Sequence, residues 1–266
     1  MNKYWFYKVG LVVVFLCFAL LGGAKVKLPT LVSDGMVLQR GEPVNIWGTA
    51  DPDETVDITF LKKKYKTVAD VQGNWKVTLP ILKAGGPYTM AINDIELKDI
   101  LIGDVWVCSG QSNMEMPVKG FRGQPVEGSC DAIATALLSD NIRMITLKIN
   151  SSQTVLDDCV ATPWVESTPA NVADFSATAY FLQVICVSFE CAGRCHLFQL
   201  GWSKIESWIN KEVYTEKFPE ISLSVLTKDP KDIARPKDEP TLLYNAMIHP
   251  IKQFTIKGTN LVSGRE

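Results

Sequence analysis

The stretch Gly103-Asp104-Val105-Trp106-Val107-Cys108-Ser109-Gly110-Gln111-Ser112-Asn113-Met114 decides how the rest of the chain is read. Val105 to Cys108 is a short apolar run without alternation, the pattern of a strand buried on both faces of a parallel sheet. It runs straight into a small polar turn. Ligands of open α/β sheets bind just beyond the carboxyl ends of the strands, so a serine here stands where a nucleophile is expected. Gly110 lets the backbone turn sharply, and a serine on a tight turn exposes its hydroxyl and its own N–H, which can serve as an oxyanion donor. Ser112 equally suits the N-cap of a helix. The turn is not the G-x-S-x-G elbow, because Met114 stands where the second glycine belongs.

Downstream, a helical stretch around Asp131 to Leu138 and a second strand at Ile142 to Leu147 give residues 103–266 an α/β character. Upstream, residues 25–102 read differently. Short strands are expected at Met36 to Gln39, Val44 to Trp47, Thr55 to Phe60, Tyr65 to Val68, Trp75 to Leu79 and Tyr88 to Ile92. Turn residues separate them at Arg40-Gly41, Asp51-Pro52-Asp53, Gln72-Gly73-Asn74 and Gly85-Gly86-Pro87, the punctuation of an antiparallel β-sandwich. Thr55 to Phe60 alternates, which places Val56, Ile58 and Phe60 on one face. Lys62-Lys63-Lys64 reads as a solvated hairpin end.

The 266 residues carry 27 basic and 29 acidic side chains, a net charge of −2, which excludes a basic nucleic-acid footprint. Residues 1–24 read as a secretory signal peptide: Lys3 and Lys8 precede the apolar run Val9 to Leu21, and Gly22, Gly23 and Ala24 follow. Thirteen apolar residues fall short of the roughly 20 that span a bilayer as a helix, so a secreted or periplasmic chain starting near Lys25 is expected, without a stable membrane span. Cys17 lies within that segment, which leaves Cys108, Cys130, Cys159, Cys186, Cys191 and Cys195. A disulfide between Cys130 and Cys159 becomes permissible after export, whereas Cys108, on the expected buried strand, reads as a packed thiol. The cluster of Cys186, Cys191, Cys195 and His196 invites zinc, but its spacing fits no closed site, and neither a metal nor a cofactor is expected. Trp47, Trp75 and Trp164 suit either a sugar site or the core.

The Gly103 to Met114 block resembles the signature of the sialate O-acetylesterase family, carbohydrate esterases of the SGNH-hydrolase type. Further matches run in family order: Met36-Val37-Leu38-Gln39-Arg40, Gly85-Gly86-Pro87-Tyr88, Phe175-Ser176-Ala177-Thr178-Ala179-Tyr180-Phe181, Lys204-Ile205-Glu206-Ser207-Trp208 and Asn245-Ala246-Met247-Ile248-His249-Pro250. The resemblance implies a β-sandwich followed by a flavodoxin-like α/β/α domain. It also implies removal of O-acetyl groups from sialic acids or related acetylated sugars, with Ser112 as nucleophile and Gly110, Gln111 and Asn113 supporting its turn.

Such chemistry needs a base for the serine proton, an acid to orient the base, and oxyanion donors. The family's tryptophan-Gly-Gly block, its Gln-Gly-Glu-Ser-Asn block and its later aspartate and histidine are not in place here. His249 matches a family position other than the catalytic base, and a packed or capping role before Pro250 is expected of it. Reading the codons of Cys191 to Trp202 from each second base permits V-P-V-G-V-I-S-S-S-W-G-G, which resembles the absent second block. The same shift over Asn260 to Glu266 permits I-W-Y-Q-G-E, the start of the third. Frameshifts are therefore expected over roughly residues 182–202 and 259–266, leaving the chain inactive by itself. A non-catalytic carbohydrate-binding protein and an acetylxylan-type esterase are the rival readings.

Overall fold

The computed structural model describes residues 26–110, 112–136, 142–188, 196–198 and 203–262. The chain is mixed α/β. Its first part consists of β1 (Val37–Gln39), β2 (Val44–Thr49), β3 (Thr55–Phe60), β4 (Lys63–Val68), β5 (Asn74–Leu79), β6 (Gly85–Ile92) and β7 (Ile95–Gly103). Five of these form a sheet in the order β1-β7-β6-β3-β4, and β2 pairs with β5 as a separate antiparallel ribbon. The expected alternation holds in β3, whose Val56, Ile58 and Phe60 are buried while Asp57 and Thr59 face solvent. β5 follows the same rule with Trp75, Val77 and Leu79 inward. The wholly antiparallel expectation is corrected at one edge, where β1 pairs with β7 in parallel.

β7 is a strand for which the residues had given no expectation. It follows β6 through a two-residue turn, Asn93-Asp94, with Ile92 opposite Ile95. Asn93 takes a positive φ of 48°, and its carboxamide oxygen accepts from the Asp57 backbone N–H at 2.8 Å. An asparagine suits that conformation because its short polar side chain bonds nearby backbone.

The second part holds β8 (Trp106–Gly110), α1 (Ser112–Glu115), α2 (Ser129–Ala134), β9 (Arg143–Met144), β10 (Thr146–Leu147), β11 (Val165–Glu166), α3 (Pro169–Asp174), α4 (Ala177–Ser188), β12 (His196–Phe198), α5 (Lys211–Lys217) and β13 (Gly258–Val262). β10, β12, β8 and β13 form a parallel sheet in that order, as the unalternating Val105 to Cys108 run implies. In chain order this is second, third, first, fourth, whereas a flavodoxin-like sheet runs second, first, third, fourth. The parallel sheet is thus as expected, and the flavodoxin-like order is not what the described strands adopt. β12 pairs through two residues with each of its neighbours, β10 and β8. The single strand expected at Ile142 to Leu147 is split: β9 pairs antiparallel with β11, and β10 joins the parallel sheet.

One hydrophobic core runs across residue 103, joining Ile46, Trp47, Phe60 and Ile100 to Ile145, Cys159, Trp164 and Phe254. A second core lies on the α4 side of the parallel sheet and contains Cys108, Met114, Met144, Val172 and Tyr180. The tryptophans resolve toward the core, since Trp47, Trp75 and Trp164 are only 5, 3 and 7 % exposed. Trp47 and Trp164 both pack on Phe254. The Cys130–Cys159 disulfide does not form: both are free thiols, Cys130 exposed and Cys159 buried in the first core. Cys108 is a packed thiol outside any disulfide, as expected of its strand. The sides of the chain are also tied by charge, because the buried Arg143 guanidinium bonds Asp99 of β7 at 2.9 Å and Glu166 of β11 at 3.1 Å.

Candidate active site around Ser112

β8 is flanked on both sides, by β12 and β13, and ends at Gly110. Ser112 opens α1 directly beyond the carboxyl end of that strand, the place expected of a reacting group in an open parallel sheet. It is half-buried, and Asn113 is exposed beside it. Gln111 lies outside the described residues. Met114, the residue that breaks the elbow pattern, has no exposed surface and plugs the core with Cys108 and Tyr180. The side chain that replaces glycine therefore anchors the turn from below.

Two sets of contacts hold β8 and its turn, one at each end of the strand. On one side is the start of α4. Thr178 donates its hydroxyl to the Asn113 carbonyl at 3.0 Å, the Ala177 N–H donates to the Met116 carbonyl at 2.8 Å, and the Ser176 hydroxyl meets the Met114 sulfur at 3.3 Å. On the other side, the entry to β8 is fixed by a buried network. Arg40 grips Asp104 with two bonds, Nε to Oδ1 at 2.9 Å and Nη2 to Oδ2 at 2.8 Å. Gln39 adds a bond from Nε2 to Asp104 at 3.3 Å, while its Oε1 accepts from the Val105 N–H at 2.8 Å. Burial pushes the Asp104 carboxyl up, but the hydrogen bond and charge of Arg40, with help from Gln39 and Lys257, outweigh it and hold the group below the usual carboxylate range.

Sequence reasoning missed both supports. Their residues sit inside the matching blocks Met36 to Arg40 and Phe175 to Phe181, and the signal was present as short polar runs bordering apolar ones.

Among the described residues the remaining catalytic parts are not assembled around Ser112. Among the described residues no side chain hydrogen-bonds its hydroxyl. His249 is elsewhere: its Nδ1 lies 3.1 Å from the Leu156 carbonyl and its ring packs edge-on to Tyr244, the packed role expected of it. The backbone of His196 lies in β12 opposite Val107. Of the suggested zinc cluster, Cys191 and Cys195 lie outside the described residues, and among those described no group of metal-binding side chains is gathered. Residues 1–25 also lie outside, and no helix among the described residues is long and apolar enough to cross a membrane.

Helix α4 carries an anomaly in its second half. Gln183 is 1 % exposed, yet among the described residues neither its amide nitrogen nor its amide oxygen has a hydrogen-bond partner. Two residues on, Ile185 is 54 % exposed. An unpaired buried amide beside an exposed isoleucine is the reverse of what a helix packed on a core selects.

No family model matches the chain. It is 28 % identical over 268 residues to the sialate O-acetylesterases of Pongo abelii and Homo sapiens, covering 89 % of this chain and 48 % of each relative. The chain therefore spans about half the length of the curated relatives it matches. Among solved structures it resembles a carbohydrate acetylesterase from Xanthomonas citri, with a TM-score of 0.74 and 30 % identity over 90 % of this chain and 51 % of that one.

Proposed function

We propose that this chain, a relative of the sialate O-acetylesterases over most of its length, is part of a secreted carbohydrate O-acetylesterase that uses Ser112 as its nucleophile. The observation that carries the reading is the place of Ser112. It stands at the carboxyl end of an inner parallel strand whose entry the Arg40–Asp104 pair fixes, on a turn braced by Met114 and Thr178. Support also comes from relatives that are named as esterases of acetylated sugars.

In this mechanism the Ser112 hydroxyl attacks the acetyl carbonyl, and its own N–H, with the turn around Gly110, Gln111 and Asn113, steadies the oxyanion. The proton must pass to a base that the described residues do not bring to Ser112. Residues 25–102 form the supporting β part, residues 103–266 the incomplete hydrolase part, and residues 1–24 the cleaved signal. The orphaned Gln183 and exposed Ile185 agree with out-of-frame reading from about residue 182.

The test compares two chains on O-acetylated N-acetylneuraminic acid and on acetylated xylan. This chain should release no acetate. A chain with residues 182–202 and the region from 259 restored to the shifted frame, and continued through its later histidine and aspartate, should release it, and Ser112→Ala should abolish that release. A restored chain that stays silent, or one that keeps its activity without Ser112, defeats the proposal. Preference for xylan would move the substrate to the acetylxylan class.

A further inference from the structure

A cavity of about 590 Å³ lies away from Ser112, where the β2–β5 ribbon meets the loop at Asp157 and the turn at His249. Its volume falls within the range of about 300–1,000 Å³ typical of small-molecule sites, which favour such junctions between units. We propose that this cavity is a binding subsite for a neutral pyranose residue of a glycan, separate from the catalytic turn. The glycan class rests on the esterase reading, but the site's composition argues for the sugar independently.

A pyranose presents an apolar face of C–H groups and a rim of hydroxyls that both donate and accept. The cavity offers the matching parts. Trp47 and Trp75, almost wholly buried, contribute only their rims and form an apolar floor. Around it stand Asn74 and Gln253, each a donor and an acceptor, and Asp157, an acceptor; their side chains make no hydrogen bond to the described residues. His249 adds one more polar group. A carbonyl can only accept, so Nδ1 donates to Leu156, and Nε2 takes no part in that bond. Trp75 also holds an orphan behind the wall, since its buried indole N–H has no acceptor among the described residues. Tryptophan N–H groups usually find a partner when buried.

Charge decides between sugar classes. Asp157 and Asp158 share the cavity with a single lysine, Lys27, and Asp158 already bonds the Thr30 backbone and hydroxyl. An acidic sugar meets more negative than positive charge here, and a neutral one does not.

The experiment titrates the full chain with methyl β-galactoside and, separately, with N-acetylneuraminic acid, reading ligand-observed saturation-transfer NMR and the tryptophan indole N–H resonances. Neither probe carries an acetyl ester, so a failure of the esterase reading leaves this result untouched. Saturable binding of the neutral glycoside is expected, with a shifted Trp75 resonance, and about tenfold weaker binding in Asn74→Ala and in Asp157→Ala, the loss of one well-placed hydrogen bond in each. Both replaced residues are exposed, so both variants should fold. The proposal is overturned by no saturable binding, by binding undiminished in both variants, or by equal binding of the acidic sugar.

Discussion

Arg40 and Asp104 form a two-bond ion pair across 64 residues of sequence, and the carboxylate end of that pair is the residue two positions before β8. The strand that leads to the candidate nucleophile is therefore tied to the end of β1 before it enters the sheet. Asp104→Ala removes the acceptor for both Arg40 bonds and for Gln39. Losing one partner of a buried pair costs about 3–5 kcal/mol, and because Arg40 is one-third exposed a loss of about 2 kcal/mol is expected. Chemical denaturation of the two proteins at neutral pH measures it.

The depressed Asp104 carboxyl also fixes a pH window. A group whose folded value lies below its unfolded one contributes stability above the unfolded value, near 3.9 for aspartate, and that contribution is lost as pH falls through the folded value. Asp104→Asn should weaken the fold at neutral pH and flatten the decline below about pH 4. Unfolding free energies of both proteins between pH 2 and pH 6 are the check, and parallel curves would refute the assignment.

The turn at Ser112 depends in the same way on Thr178. Thr178→Val keeps the shape but removes the bond to the exposed Asn113 carbonyl, where water can substitute, so a global loss below about 1 kcal/mol is expected. The effect is local: backbone amides of residues 113–116 should exchange faster in the variant, while the rest of the second core keeps its protection.

Much of this was legible in the residues, for particular reasons. β3 was readable because its inward and outward faces alternate residue by residue, and β8 because a strand buried on both faces has no alternation to show. β7 was not, since its turn is the modest Asn93-Asp94 with no glycine or proline, and its own pattern mixes buried and half-buried positions. Ile142 to Leu147 read as one strand because composition cannot show that two of its residues pair with β11 and two with β12. The serine was visible through its turn, whereas Thr178 and Arg40 act from far along the chain, and no local spacing announces such partners.

The cysteines separate by environment. Burial first, and the neighbouring Asp158 charge second, push the Cys159 thiol up to about 12. A thiol held neutral in this way is inert, because the thiolate is the nucleophile. Brief alkylation of the native protein at pH 8, followed by peptide mapping, should label Cys130 readily and leave Cys159 and the buried Cys108 unlabelled. The same raised value means that the fold loses stability as pH climbs from the unfolded thiol value, about 8.5, toward the folded one. Equal labelling of all three would show that the core around Cys159 is not closed.

Gln183 gives the sharpest prediction about the second half of α4. Its amide is buried with neither end paired among the described residues, and an unsatisfied buried polar group costs about 1–3 kcal/mol. Most substitutions at a site 1 % exposed destabilise, so a gain here is diagnostic. Gln183→Leu has nearly the same volume, adds apolar contact with the core and removes the desolvated amide, and it should stabilise the chain by about 2 kcal/mol, a rise in Tm of about 4–8 °C. Gln183→Glu, which places a charge in the same position, should lower Tm or prevent folding. A leucine variant no more stable than the parent would mean that the amide finds partners in solution, and the out-of-frame reading of residues 182–202 would lose its physical support.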